Sequence, residues 1–311
     1  MSTWADSYQQ REDVQAYKAE LVAQHGFEEA ELEALFNRAQ RRDDILEKIS
    51  RPAERVWTWA RYKKHLVDEA RIQAGIEFYR DHRETLMAAS QAYGVAPHVI
   101  TAILGIETRY GQIKGSYPVM DALFTLGFDY PPRPKFFRKE LTEFLLLARE
   151  EGKDPTQITG SYAGAMGYGQ FIPSSYRYYA VDFDEDGVRD IWDNRVDAIG
   201  SIANYFAKHK WQGAQPTAIR VEAPERLPED LVDNRKLDLL HTVADLQRAG
   251  VETQDLSPEL KARLYRVEGE EGTEYWVALH DFYVITRYNR SHLYALAVHH
   301  LAEAIKAGVG N

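Results

Sequence analysis

From Glu69 to Tyr93 apolar residues return at three- to four-residue steps, at Ile72, Ile76, Tyr79, Leu86 and Ala89. That period belongs to one buried helix face and predicts a single long helix, which Gly94 stops. Pro97 opens the next helix, expected to reach about Tyr110, with Val99, Ile100, Ile103 and Leu104 as its stripe. The run Tyr130-Pro131-Pro132-Arg133-Pro134 breaks the pattern. A helix over Lys135–Glu151 follows, with Phe136, Leu141, Phe144, Leu145 and Ala148 expected inward. Shorter helical patterns cover Glu28–Ala39, Pro173–Tyr179 and Val196–His209. Beyond Gly213 the periodicity changes: Pro216, Pro224 and Pro228 punctuate short pieces, and residues alternate over Ala262–Glu268 and Thr273–Leu279. Gly269–Gly272 between the alternating runs predicts a β-hairpin. Helix resumes at Ser291, read as an N-cap, with Leu293, Leu296, Ala297 and Leu301 as its stripe. The expected class is mainly α, an α+β chain. An N-terminal helical domain is expected over 1–92, a helical core over 93–212, a small mixed α/β insertion over 213–281 and a return to the core over 282–311.

Composition narrows the functions available. The 311 residues are 44% hydrophobic and 28% charged, so a packed core rather than disorder is expected. Asp and Glu number 48 against 38 Lys and Arg, a formal charge of −10 that disfavours nucleic acid as a partner. The absence of cysteine excludes disulfides, thiolate catalysis and Cys-ligated zinc. No apolar run is long enough for a transmembrane span. The opening MSTWADSYQQRED has neither the basic nor the apolar region of an export signal, so none is expected in this chain. The histidines form no His-Glu-x-x-His pattern, and the adjacent His299 and His300 read as core or surface residues. The Trp57/Trp59 pair reads as packing, and Arg41-Arg42-Asp43-Asp44 as a solvated helix face.

Glu107 is the odd residue of its helix, because it continues the apolar stripe four residues after Ile103. Its i+3 and i+4 neighbours, Tyr110 and Gly111, offer no ion pair. Burial and the helix C-terminal dipole both favour the protonated carboxyl, so a raised pKa is expected, as a general acid requires. The alternative is a frayed helix end reaching solvent or a distant arginine. The segment Gly160–Phe171 is rich in glycine but lacks the Lys-Ser/Thr ending of a phosphate loop. Its glycines suit close approach of a ligand, Tyr162, Tyr168 and Phe171 suit stacking, and Gln170 suits hydrogen bonding; an ordinary tight loop is the alternative. Asp182, Asp184, Asp186 and Gly187 fit D-x-D-x-D-G, the start of an EF-hand loop, with Asp193 at the twelfth position. Calcium is expected there; a solvated turn capping the next helix is the alternative.

Four segments together carry a resemblance. Gly105-Ile-Glu-Thr-Arg-Tyr-Gly111, Gly164-Ala-Met-Gly-Tyr-Gly-Gln-Phe-Ile-Pro-Ser-Ser-Tyr176, Val181-Asp-Phe-Asp-Glu-Asp-Gly187 and Tyr283-Val-Ile-Thr-Arg-Tyr-Asn289 resemble, in order, the lytic murein transglycosylase B family. The resemblance implies a lysozyme-like helical core, action on peptidoglycan glycan strands, other cell-wall enzymes as partners, and a place in the periplasm or cell envelope of a Gram-negative bacterium. It makes Glu107 the catalytic acid and base, and matches Tyr62, Ser161, Gln170, Phe171, Tyr205, Tyr288, Asn289 and Tyr294 to the glycan groove. Where family members carry two arginines after the Tyr-Pro of the proline-rich loop, this chain has Pro132-Arg133, leaving Arg133 to grip peptide or sugar. The family's longer acidic loop makes Asp197 the closing ligand of a calcium set of Asp182, Asp184, Asp186, Asp197 and the Val188 carbonyl, with Asp190 acting through water. Asp121 and Asp129, the other carboxylates considered, fall in a segment read as turn-prone. A single carboxylate suffices when the substrate supplies the nucleophile, so the implied reaction is cleavage without water to a 1,6-anhydromuramoyl end. A peptidoglycan hydrolase and a non-catalytic wall-binding protein stand as the alternatives.

Overall fold

Helix ends in this chain are set by glycine, proline and a few capping side chains. The computed structural model describes residues 8, 10–50, 57–253 and 255–310. Most of the polar opening lies outside them. The described chain is mainly helical, with a small β-containing insertion, the fold class expected above. It divides into two compact units, each built from separate stretches: 1–52 with 113–198, and 53–112 with 199–311. That division interleaves the chain, unlike the sequential segments expected from the sequence.

The first unit holds α1 (Glu12–His25), α2 (Glu29–Arg38) and α3 (Asp43–Ile49), then α4 (Val119–Asp129), α5 (Pro134–Glu150) and α6 (Pro173–Tyr179). A two-stranded antiparallel pair, β1 (Tyr117–Pro118) with β2 (Thr159–Gly160), closes the glycine-rich loop. Its core is aromatic: Tyr17 stacks on Phe36 at 6.1 Å, and Phe36 meets Phe124 edge-on at 5.2 Å. Two expectations fail here. Asp121 and Asp129 lie within helix α4, not in a turn; Asp121 accepts the Gln40 N–H at 2.9 Å and Asp129 pairs with Arg11 at 2.7 Å. In α5 it is Phe137, only 4% exposed, that faces inward with Leu141 and Phe144, whereas Phe136 is half-buried. Neighbouring helix positions differ by about 100°, so a stripe misread by one residue changes face.

The second unit holds α7 (Trp59–Leu66), α8 (Glu69–Asp81), α9 (Arg83–Tyr93) and α10 (Pro97–Thr108). The expected long helix is therefore two, broken at His82, which leaves helical geometry with φ −114° and ψ 22°. No glycine or proline marks that break. Helix α11 (Arg195–Lys208) belongs to the first unit through Ala198 and to the second from Ile199. The insertion follows, with β3 (Ala218–Val221), β4 (His241–Thr242), α12 (Val243–Arg248), β5 (Lys261–Gly269) and β6 (Gly272–Ala278). The sheet order is β3-β6-β5-β4, and the predicted hairpin is β5-β6, with Gly269 paired to Gly272. Val243, Leu246, Leu264 and Val277 form its own apolar core. Helix returns earlier than expected, as α13 (His280–Tyr288), before α14 (His292–Val309). Ser291 caps α14, its Oγ accepting the Tyr294 N–H at 3.3 Å. Trp59 is 1% exposed and packs in the core; Trp57 is half-buried.

Burial holds four histidines of this unit uncharged. His98, His292 and His299 are pushed down to about 4 and His300 to about 3, burial being the first cause in each. The unfolded chain takes up these protons near pH 6.5, so the folded state keeps its full stability above that value. It loses stability as pH falls toward 4. The His300 ring lies 5.2 Å from Trp59 and 4.9 Å from Trp276, and His300→Leu keeps an apolar group there without the titration. Thermal denaturation between pH 7 and 4.5 should show wild-type Tm falling roughly 5 °C further than that of the variant. Parallel Tm curves would refute the account.

Candidate active site

Helix α10 is apolar on nearly every side. Val99 is 4% exposed, and Ile100, Ala102, Ile103 and Leu104 are fully buried, so other helices must wrap it. Helices α8 and α14 do so. In its last turn Glu107 is half-buried. Its i+3 and i+4 neighbours, Tyr110 and Gly111, carry no charge to pair with it. A partner comes from 187 residues away: Tyr294, in the first turn of α14, donates its hydroxyl to Glu107 Oε1 at 2.5 Å. Tyr294 is 2% exposed. Burial raises its phenol well above the usual value, and the Glu107 charge adds to the effect, so the hydroxyl stays protonated and remains a donor.

The other candidates of the second unit gather around this pair. Tyr288, at the end of α13, is raised by burial first and the Glu107 charge second. Its ring meets Tyr205 edge-on at 4.8 Å and stacks on Phe206 at 5.6 Å. Tyr205 fixes itself by donating to the Arg287 carbonyl at 2.7 Å. Tyr62, 4% exposed in α7, lies close to Tyr294. Asn289 is half-buried at the C-terminus of α13. The structure thus brings Glu107, Tyr62, Tyr205, Tyr288 and Tyr294 together as one carboxylate walled by phenols. The buried acid Asp281, in the same unit, is taken up by the Gln212 and Gly213 N–H groups at 2.9 and 2.7 Å.

The remaining candidates belong to the first unit. Ser161 Oγ accepts the Ala163 and Ala165 N–H groups at 3.2 and 3.1 Å, which closes the glycine-rich loop. Gln170 has φ 50° and donates its amide to the Lys114 and Gly167 carbonyls at 3.1 and 3.0 Å. Phe171 and Tyr168 are 3% and 5% exposed, so these rings pack the loop and are not the open stacking faces expected. The loop glycines serve approach of chain to chain. A Cβ at Gly167, where φ is 69°, would lie 2.4 Å from the Ile191 carbonyl oxygen. Arg133 is exposed, its guanidinium 3.9 Å above the Phe136 ring.

The acidic loop draws Asp182, Asp184 and Asp197 together, with one carboxylate oxygen of each within 4.8 Å of the others. Asp197 is fully buried and accepts the Phe183 and Asp190 N–H groups, both at 2.7 Å. Its pKa is raised by burial first, with Asp184 and Asp182 adding to it. Asp182 accepts the Asp186 and Gly187 N–H groups at 3.0 and 2.8 Å, and Asp186 Oδ1 accepts that of Val188 at 2.8 Å. Asp193 turns to Lys114 at 3.0 Å, and Asp190 Oδ1 accepts the Trp192 and Asp193 N–H groups at 2.8 and 3.0 Å. Three carboxylates so close repel one another, a donor set suited to a hard divalent cation.

Residues 9–303 match the transglycosylase SLT domain family. The chain is 39% identical over 305 residues to membrane-bound lytic murein transglycosylase B of Escherichia coli, covering 94% of this chain and 82% of that one. Among solved structures it is similar to the catenated lytic transglycosylase SltB1 of Pseudomonas aeruginosa, 47% identical, TM-score 0.92, covering 97% of this chain and all of that one. It is also similar to the Escherichia coli lytic transglycosylase Slt35, solved in complex with bulgecin A (39% identical, TM-score 0.88) and in complex with calcium (38%, 0.86). Both Slt35 comparisons cover 96% of this chain and 94% of that one. The lysozyme-like helical fold expected from the motifs is shared with these enzymes, and the chain belongs to the transglycosylase SLT domain family, as a lytic murein transglycosylase B homologue.

Proposed function

We propose that this chain cleaves peptidoglycan as a lytic transglycosylase, with Glu107 acting alone as acid and then as base. The Tyr294 hydroxyl on Glu107 Oε1, at 2.5 Å, carries the reading. A carboxylate anchored at the end of a buried helix and held by a neutral donor has one rotamer and a fixed direction for its proton. The protonated Glu107 gives its proton to the glycosidic oxygen between N-acetylmuramic acid and N-acetylglucosamine as that oxygen leaves C1. The N-acetyl oxygen of the sugar steadies the positive charge at C1. Glu107, now a carboxylate steadied by the Tyr294 hydrogen bond, takes the proton of the C6 hydroxyl as O6 bonds to C1. The 1,6-anhydromuramoyl end forms and no water is consumed. Tyr62, Tyr205, Tyr288 and Asn289 are assigned to holding the sugar near Glu107; in the first unit Ser161, Gln170 and Arg133 are assigned to glycan or its peptide, with Phe171 supporting them from within the loop. The names of the relatives support this reading, and support the cell envelope as the place of the work.

The acidic loop is proposed to hold calcium through Asp182, Asp184 and Asp197, with Asp186 and the Val188 carbonyl completing the set. The ion would neutralise carboxylates that otherwise repel and so fix the loop; the calcium complex of the similar Slt35 supports this.

Incubated with purified sacculi, the wild type should release muropeptides with 1,6-anhydro ends, one water lighter than reducing ends by mass spectrometry. Glu107→Gln should lower turnover at least about a thousandfold, since it removes both acid and base, while a sacculus pull-down shows binding retained. Reducing ends as the main product would replace the transglycosylase by a hydrolase. Tyr294→Phe should cost about tenfold in kcat, the loss of one hydrogen bond to a charged group. Chelation by EGTA should lower Tm by several degrees and added calcium should restore it; an unchanged Tm would remove the cation from the loop.

A further inference from the structure

Two residues after Glu107 the backbone reverses in a conformation that side-chain-bearing residues avoid. Arg109, Tyr110 and Gly111 have φ of 49°, 60° and 91°. Helices commonly end on one left-handed glycine; here an arginine and a tyrosine adopt that region in succession, at a steric cost. Backbone bonds close the turn: the Arg109 N–H reaches the Gly105 carbonyl at 3.2 Å and the Tyr110 N–H the Leu104 carbonyl at 3.0 Å. They do not explain why the second position carries a tyrosine.

The tyrosine side chain does. Tyr110 is 7% exposed, and its hydroxyl donates to the Arg71 carbonyl in α8 at 2.8 Å. To arrive there the phenol passes between two helices at their glycines. A Cβ on Gly75 of α8 would lie 2.4 Å from Tyr110 Oη, and one on Gly105 of α10 would lie 2.5 Å from it. The ring stacks on Phe78 at 5.5 Å. Arg109 is tied to the same place, its guanidinium 3.4 Å from Asp68 Oδ2. Asp68 caps α8 by accepting the Arg71 N–H at 2.9 Å, and the Arg71 guanidinium donates to the His65 carbonyl at 2.9 Å. Both side chains of the turn therefore run back to the first turn of α8.

We infer that Tyr110 is a positioning residue for Glu107: its hydroxyl, wedged between Gly75 and Gly105 and bonded to the Arg71 carbonyl, holds the strained turn that fixes where α10 ends. The inference rests on Glu107 being the acid and base. A catalytic group displaced by a fraction of an ångström loses rate while the binding groove is untouched, so the effect falls on kcat.

The test uses the whole chain on purified sacculi, with kcat per folded molecule and KM measured from anhydro-muropeptide release across pH. Tyr110→Phe, which keeps the ring and removes the hydroxyl, should lower kcat about tenfold and shift the pH profile of kcat, with KM within twofold. Gly75→Ala presses on the same hydroxyl from α8, and on the Ile305 side chain of α14, and should do likewise, which covers the case of a Tyr110→Phe chain that does not fold. Leu246→Ala, in the separate core of the insertion, should lower Tm without changing kcat per folded molecule. Wild-type kcat in both Tyr110→Phe and Gly75→Ala, or a loss of kcat in Leu246→Ala matched to its Tm, would overturn the inference while leaving Glu107 in its role. A wild type that releases no anhydro ends would overturn the function and this inference with it.

Discussion

Placing one carboxylate at the end of a helix that has almost no exposed surface is the constraint on which the second unit turns. Helix α10 buries Ile100, Ala102, Ile103 and Leu104 completely, each worth on the order of 1–3 kcal/mol for the larger side chains. Sliding or rotating it would expose that surface or clash with α8 and α14, because packed interiors deform little. The position of Glu107 is therefore set by the core, and the rigidity a catalytic group needs comes without a dedicated scaffold. The chain has to bring α14, near its end, back onto a helix near its middle to achieve this.

The buried acids divide by what they accept from. Asp121, Asp197 and Asp281 accept backbone N–H groups, and Glu140 accepts both the N–H and the hydroxyl of Ser174. Each ties separate segments of the chain together through those bonds. Glu107 is bound instead by a phenol that burial keeps protonated. A neutral, rotatable hydroxyl supports the carboxylate without forbidding the acid. That difference in donor, more than burial alone, separates the acid assigned to chemistry from the acids that hold the fold.

Much of this was legible in the sequence where a local signal existed. The stripe of α10, the proline-rich break, the hairpin at Gly269–Gly272 and the Ser291 cap each arise from neighbouring residues, and each is present. Glu107 stood out because a charge interrupted an apolar period. What escaped has no local signal. His82 breaks a helix that its sequence would continue, and Asp121 and Asp129 sit in a helix over a segment read as turn-prone. Phe136 and Phe137 are adjacent apolar residues, and only packing chooses between them. Tyr294 as the hydrogen-bond partner of Glu107 required a pairing across 187 residues, which no periodicity encodes.

The phenolic wall bears on how the proposed reaction avoids water. Tyr62, Tyr205 and Tyr294 are nearly or fully buried, and Tyr205 spends its hydroxyl on the Arg287 carbonyl. Rings packed this closely leave little room for a solvent molecule beside Glu107. A hydrolase must hold and deprotonate a water opposite the leaving group, which usually calls for a second carboxylate. The nearest buried acid by sequence in this unit, Asp281, is engaged by two backbone amides. When the attacking hydroxyl belongs to the substrate, it arrives already tethered to the ring under attack, and the entropy of capturing a nucleophile is saved. One acid that gives a proton and then takes one back is then a complete catalytic set, and a surround of phenols is the environment in which that proton has the fewest other places to go.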